Sequence, residues 1–338
     1  MEKIQTDIII IGAGPCGLFA VFEAGLLKMR CHLIDYLPVA GGQLAEIYPS
    51  KPIYDIPGFP EILAKDLVSG LLEQIKPFHP GFTLGERVES LQKLANNEFE
   101  IITNKSTIIH APVIAIAGGL GCFEPRKPDI PEITRFEDFG IDYIIKDPEK
   151  FRNKKVVIAG GGDSALDWAI HLSEICESLT LVHRRTEFRG APDSVSKLEN
   201  LHLLNKVKVI LNAEVKSLGG NKQLEYIELV SDNKMMKIET DYFLPLFGLS
   251  PKLGPIADWG LQITKNAIEV NTFDYSSNIP GIYAIGDINN YSGKLKLILC
   301  GFHEATLMMQ SAYKIIHGGK KPGFKYTTVT GIHELKEQ

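Results

Sequence analysis

Residues 6–35 read TDIIIIGAGPCGLFAVFEAGLLKMRCHLID, and this stretch decides the fold. Thr6 to Ile11 is a short apolar run that stops at Gly12-Ala-Gly14-Pro-Cys-Gly17. A helical pattern follows from Leu18 to Leu27, and Cys31 to Ile34 reads as a second buried strand closing on Asp35. Strand, glycine-rich turn, helix, strand and acid make one βαβ unit. In Gly12-x-Gly14-x-x-Gly17 the glycines let the backbone approach a pyrophosphate held at a helix N-terminus. Asp35 stands where a carboxylate accepts a ribose 2′-hydroxyl. The bland alternative is a tight turn that binds nothing.

The same order returns further along. Residues 155–189 read KVVIAGGGDSALDWAIHLSEICESLTLVHRRTEFR, again a strand, a glycine turn, a helix and a strand. Each βαβ start leads into short β-rich pieces separated by turn residues: Arg87 to His110 in the first half, Val207 to Ile238 in the second. Val113 to Ala117 and Tyr242 to Leu246 then close the halves. One apolar strand is left over, Gly281 to Ile285, ending in Gly286-Asp287 and followed by a helical pattern to Ile316. The economical arrangement is an α/β chain of two Rossmann-like, three-layer ββα dinucleotide-binding domains, the second inserted into the first. The expected bounds are 1–116 with 280–338 for the first domain and 117–279 for the second.

The two turns differ in the chemistry that follows them. After Gly160-x-Gly162-x-x-Ala165 no acid closes the second strand; the chain reads His183-Arg184-Arg185, with Arg189 close behind. A carboxylate repels a 2′-phosphate, whereas guanidiniums clamp it, so this pattern selects NADPH over NADH. Out of context such an arginine run is a solvated surface. Gly286-Asp287 puts a carboxylate at a strand end, either as a common turn pair or within reach of the middle of an extended dinucleotide such as FAD. The Pro-rich loop from Tyr48 to Pro60, preceded by Gly41-Gly42-Gln43, has two readings as well: an aromatic stacked on a flavin ring, or an aromatic plugging the core. Six lysines between 291 and 325 (294, 296, 314, 320, 321, 325) face one acid, Glu304. They suit an acidic protein partner steered by charge, or a solvated face.

Composition sets the outer limits. The 338 residues are 44% hydrophobic and 23% charged, which suits a soluble globular chain of about two domains and excludes a disordered or collagen-like one. No apolar stretch approaches the roughly 18–20 residues of a membrane helix. A net charge of −5 argues against a general nucleic-acid binder. Five cysteines (16, 31, 122, 176, 300) show neither CxxC spacing nor a zinc pattern, so the expectation is reduced thiols, a cytoplasmic protein and no metal.

With these residues laid out, the chain resembles the ferredoxin–NADP reductases of thioredoxin-reductase-like fold. The resemblance covers nearly the whole chain: the first fingerprint, Gly41-Gly42-Gln43, the loop YPSKPIYDIPGFP at 48–60, the GGGDSA turn, His183-Arg-Arg with Phe188-Arg189, and Tyr283-Ala-Ile-Gly-Asp287. It implies FAD contacts from Gly12, Gly14, Gly17, Asp35, Gln43, Tyr48, Val88, Phe123, Asp287 and Thr328. Tyr48 would stack on one flavin face, Tyr326 of the C-terminal extension would cover the other, and Thr327 would lie near the ring. For NADPH it implies Gly160, Gly162, Asp163, Ser164, Ala165, His183, Arg184, Arg185 and Arg189. It further implies a homodimer, a swivelling NADPH domain and ferredoxin or flavodoxin as the acidic one-electron partner. Thioredoxin reductases pass electrons through a CxxC dithiol in the nucleotide domain. Here the corresponding helix reads Gly162-Asp-Ser-Ala-Leu-Asp-Trp168, without a thiol. The expected activity is therefore direct electron transfer from NADPH through FAD to a carrier, with no acid–base side chain required. An NAD(P)H oxidase or a quinone or flavin reductase is the alternative enzyme, and a flavin redox sensor without turnover the alternative of another class.

Overall fold

A computed structural model of the chain describes residues 3–231, 234–323 and 327–335; of residues 122–125, 249–251, 329 and 330 it describes the backbone alone. The chain divides into two compact units, Met1–Cys122 with Pro251–Gln338, and Phe123–Ser250.

In the first unit the run Ile8–Ile11 is a strand buried along its whole length. It lies in a five-stranded sheet ordered Ile282–Ala284, Val113–Ile116, Ile8–Ile11, Cys31–Asp35, Gly81–Leu84, every pair parallel. Alternation sends its side chains to opposite faces. Ile8 and Ile10 join Leu18, Val21, Ala24, Leu67, Leu71 and Met308 under the helices Pro15–Leu26, Ala64–Ile75 and Ile298–Ile316. Ile9 and Ile11 face the other way, onto Val88, Phe99, Ile101 and Ile109 of the antiparallel meander. A strand this apolar suits only a sheet covered on both faces. The leftover strand has its partner: Ile282–Ala284 lies against Val113–Ile116 and completes the first sheet.

The second unit repeats the device. Its parallel sheet runs Lys208–Ile210, Ser178–Val182, Lys155–Ala159, Tyr242–Pro245. Val156 and Ile158 pack on the helices Asp163–Leu172 and Pro192–Leu203 through Ala165, Leu166, Ala169 and Leu198. Val157 and Ala159 pack on the meander through Ala213, Val215, Ile227 and Leu229.

Two details depart from the sequence reading. The β-rich piece 207–215 is two strands: Lys208–Ile210 joins the parallel sheet, and Asn212 turns in the left-handed region at φ 50° before Ala213–Gly219 opens the meander. The chain also returns to the first unit at Pro251, not near 280. The reason is packing: Leu253, Ile256, Leu261 and Ile268 complete the apolar layer on the meander face of the first sheet.

Candidate functional site

Each parallel sheet ends at its C-terminal edge in a glycine turn that opens a helix, the place where open α/β sheets bind nucleotides. In the first unit Gly12 has φ 111°, and a Cβ there would stand 2.4 Å from the Ala117 carbonyl oxygen. A Cβ on Gly17 would stand 2.0 Å from the Gly12 oxygen, so this glycine lets helix and strand touch. Gly14 is different: a Cβ there would meet nothing nearer than Gly42 Cα at 3.9 Å. Its backbone faces open space at the N-cap of Pro15–Leu26, and no side chain caps the helix's first N–H groups.

Asp35 is built into this turn. Its carboxylate accepts from Ala13 N at 2.7 Å and from Leu37 N at 2.9 Å. Burial raises its pKa, opposed by those two bonds. Glu86 N donates to the Asp35 carbonyl at 3.1 Å, which brings the start of Val88–Lys93 beside it; the Val88 side chain itself is buried in the core. Gly41 N donates to Ala13 O at 2.8 Å, sewing Gly41-Gly42 onto the fingerprint turn. Gln43 opens the short helix Gln43–Glu46, and its amide lies beside Gly119.

Tyr48 is half-buried against the helix-side core, with Lys51 Nζ 5.9 Å above its ring. Burial raises its phenol pKa, and the nearby Asp287 carboxylate adds to the rise. Tyr48 and Asp287, far apart in sequence, thus share one neighbourhood. Further along the same loop Ile56 is buried, whereas Tyr54 and Phe59 are exposed. The Gly286-Asp287 turn sits against the first helix: a Cβ on Gly286 would come within 3.1 Å of Cys16 Sγ. Asp287 is half-buried, and burial lifts its carboxyl while Lys296 and Lys294 pull it back.

The C-terminal residues are placed elsewhere. Thr327 and Thr328 are exposed at the start of the helix Thr327–Thr330. The following segment is tied to the far edge of the sheet, where Lys28 Nζ donates to His333 O at 2.8 Å and Leu335 N to Pro77 O at 3.0 Å. No described contact joins Thr327 or Thr328 to Gln43, Tyr48 or Asp287. Tyr326 lies outside the described residues, as does the side chain of Phe123.

In the second unit Gly162 caps Asp163–Leu172 with extended backbone, and a Cβ there would meet nothing within 4 Å. Ala165 is buried, letting the helix close on the strand, and Ser164 is exposed beside it. Asp163 accepts from Ala191 N at 2.8 Å, and Arg189 N donates to Gly161 O at 2.8 Å, so the arginine loop is pinned to the turn. Arg184, Arg185 and Arg189 are exposed, with no carboxylate partner among the described residues. His183 faces inward instead. It is buried, stacks on Phe188 at 5.1 Å and donates through Nε2 to Glu187 O at 3.0 Å. A Cβ on Gly161 would lie 2.1 Å from its ring. Burial holds its pKa below the usual imidazole value, and the neighbouring Arg189 and Arg185 lower it further. His183 is the wedge under the glycine turn and the arginines are the outward face.

Three of the thiols are quiet. Cys16 packs against Gly286 and Gly301, and burial pushes its pKa up to about 12. Burial lifts Cys176 to about 11 and raises Cys31 as well. At neutral pH these are thiols rather than the thiolates that disulfide chemistry needs. Among the described residues no helix is long and apolar enough to cross a membrane, and no group of His, Cys, Asp or Glu could hold a metal ion.

Sequence reasoning missed one group beside Asp287. Glu304, the lone acid of the lysine-rich segment, is fully buried, and Lys294 pairs with it at 2.5 Å, itself 6% exposed. Lys294 therefore leaves the set of lysines read as a steering surface. The signal was the helix periodicity: Glu304 falls in step with Gly301, Ala305, Met308 and Ala312 on the buried face.

Residues 6–310 match the family described as pyridine nucleotide-disulphide oxidoreductase. A ferredoxin–NADP reductase of Flavobacterium johnsoniae is 64% identical, covering 97% of this chain and 94% of the relative. One of Nitrobacter hamburgensis is 47% identical over 99% and 98%. Among solved structures, the thioredoxin reductase of T. acidophilum superposes with a TM-score of 0.79 at 24% identity, covering 92% of this chain and 98% of that one. The last likeness is one of fold. The chain belongs to the pyridine nucleotide-disulphide oxidoreductases, and within them to the ferredoxin–NADP reductases.

Proposed function

We propose that this protein is an FAD-dependent oxidoreductase that moves electrons between NADPH and a one-electron carrier, ferredoxin or flavodoxin, without a redox-active disulfide. The observation that carries the reading is the pairing of two nucleotide turns with opposite chemistry. An acid, Asp35, closes the first, and three exposed guanidiniums, Arg184, Arg185 and Arg189, flank the second. The residues fit both cofactors, since Gly14 and Gly162 present bare backbone to open space at the start of a helix, as a phosphate group requires.

In this reading the N–H groups after Gly14 donate to the FAD pyrophosphate and Asp35 accepts from its adenosine ribose. The backbone at Val88, brought beside Asp35, belongs to the first site; Gln43 and Tyr48 bound the ring system, with Asp287 between ring and pyrophosphate. Gly160 to Ala165 hold the NADPH pyrophosphate, His183 braces that turn, and the three arginines select the 2′-phosphate. Bound FAD would supply the two-electron to one-electron chemistry between NADPH and the carrier. The chain's own part is binding, orientation and the charge around the ring. The helix Asp163–Leu172 carries no thiol, which supports direct delivery rather than a dithiol relay there. The relatives' names support ferredoxin as the carrier, and a homodimer in the cytoplasm completes the reading.

The test is NADPH-driven cytochrome c reduction by the purified yellow protein, with and without ferredoxin. Strong dependence on ferredoxin, with NADH a poor donor, is the expected result. Rapid NADPH oxidation indifferent to ferredoxin would move the activity to an oxidase or quinone reductase.

A further inference from the structure

A carboxylate removed from water is costly unless its lone pairs are met. Glu304 is removed completely, and four donors meet it. Its Oε2 accepts from Gly286 N at 2.6 Å and from Asn289 Nδ2 at 2.8 Å. Its Oε1 accepts from the Tyr291 hydroxyl at 2.9 Å and from Lys294 Nζ at 2.5 Å. The Asn289 amide is fixed in this orientation because Nδ2 donates to Ala284 O as well, at 3.0 Å.

The donors bracket one residue. Gly286 directly precedes Asp287 and Asn289 follows two positions later, so a single carboxylate on the helix Ile298–Ile316 ties down both flanks of the turn that carries Asp287. The Asp287 carboxylate accepts no hydrogen bond among the described residues. Lys294 lies in the field of both acids, since its charge acts on Asp287 while its ammonium bonds Glu304. A buried ion pair is poor evidence of stabilisation, because apolar residues of like volume often replace one without loss. Its geometry, converging on a turn at the FAD site, calls for another role.

We propose that Glu304 is a positioning residue for Asp287: it fixes the Gly286–Asn289 turn and keeps the Lys294 ammonium off the Asp287 carboxylate, leaving that carboxylate free to accept from hydroxyl groups of FAD. The inference rests on the FAD reading above. In Glu304→Gln the amide oxygen, set where Oε2 stands, still serves Gly286 N and Asn289 Nδ2, but Lys294 loses its acceptor and turns to Asp287. In Lys294→Met this competitor is gone, Lys296 acts on Asp287 alike in every variant, and Glu304 keeps three donors.

The experiment is FAD release from the holoenzyme on dilution, with titration of the deflavinated protein by FAD, both read by flavin fluorescence. Glu304→Gln should weaken FAD binding at least about tenfold. Lys294→Met should stay within about threefold of the wild type, and Glu304→Gln/Lys294→Met should return to within the same margin. A merely structural role would give no such rescue. Wild-type affinity in Glu304→Gln, or a double variant as weak as the single, overturns the inference. Should Glu304→Gln not fold, the double variant decides alone: wild-type-like affinity supports the proposal and tenfold weaker binding overturns it. A wild-type protein that binds no FAD would remove the FAD reading itself, and this inference with it.

Discussion

Three arginines separate the two nucleotide turns more sharply than the glycines do. Arg184, Arg185 and Arg189 leave the second strand at its C-terminal end, exposed, while His183 turns inward beneath Gly161. Replacing Arg184 and Arg185 by alanine should raise KM for NADPH about tenfold or more, because two charge-assisted contacts to a dianionic phosphate are lost. KM for NADH should stay within about twofold, since it has no phosphate there to lose. Steady-state kinetics with both nucleotides checks this, and NADPH preference that survives the change would remove the clamp. The same neighbourhood shows what a motif conveys. Gly12, Gly14 and Gly17 are one pattern in sequence, yet two of them serve close packing and only Gly14 offers open backbone. His183 stands next to Arg184 in the sequence, yet its ring is buried beneath the glycine turn. Position in sequence does not reveal that alternate residues of a strand end face opposite ways.

Among the elements, the strand Cys31–Asp35 carries a titration of its own. His32 is buried between this strand and Gly81–Leu84, with Nε2 2.7 Å from Thr83 Oγ1, and burial lowers its pKa to about 4. The unfolded chain takes up this proton near pH 6.5, the folded chain near 4. His32 therefore contributes stability that is present above about pH 6.5 and is lost as the pH falls toward 4. The loss amounts to about 3 kcal/mol at most. Asp35, Asp287 and Glu23, whose pKa values burial raises, work in the opposite direction over part of that range, so the comparison has to be with a variant. Urea unfolding of the wild type and His32→Gln at pH 7 and pH 5 should show the wild type losing more stability than the variant; equal losses would refute the assignment. Legibility at this scale followed chemistry. The strand Gly81–Leu84 and the helix Ala64–Ile75 carry no nucleotide-turn motif, and their packing alone assigns them. The helix Ile298–Ile316 was legible from its period, but a buried acid on that period looks like any surface charge until its partners are seen.

For the whole molecule, the insertion was legible because an unpaired strand had to find a sheet, and Ile282–Ala284 does. The return point was not, because Leu253, Ile256 and Ile268 carry no motif and only their packing assigns them. The inserted unit keeps its apolar layers to itself: both clusters draw only on residues between Ile130 and Leu246. Expressed alone, residues 123–250 should unfold in one cooperative transition by circular dichroism. A gradual transition with strong dye binding would mean that the unit depends on its host.

That topology also sets a timetable on the ribosome. The strand Val113–Ile116 emerges with Ile8–Ile11 on one side and nothing on the other, because Ile282–Ala284 is translated about 165 residues later, after the entire inserted unit. At roughly 5–20 residues per second this is a wait on the order of 10–30 seconds. Through that interval an apolar parallel edge stands open to any passing strand. A unit whose apolar layers are its own can fold before that strand arrives, which leaves the nascent first unit as the part of this chain for which a chaperone has the most to do.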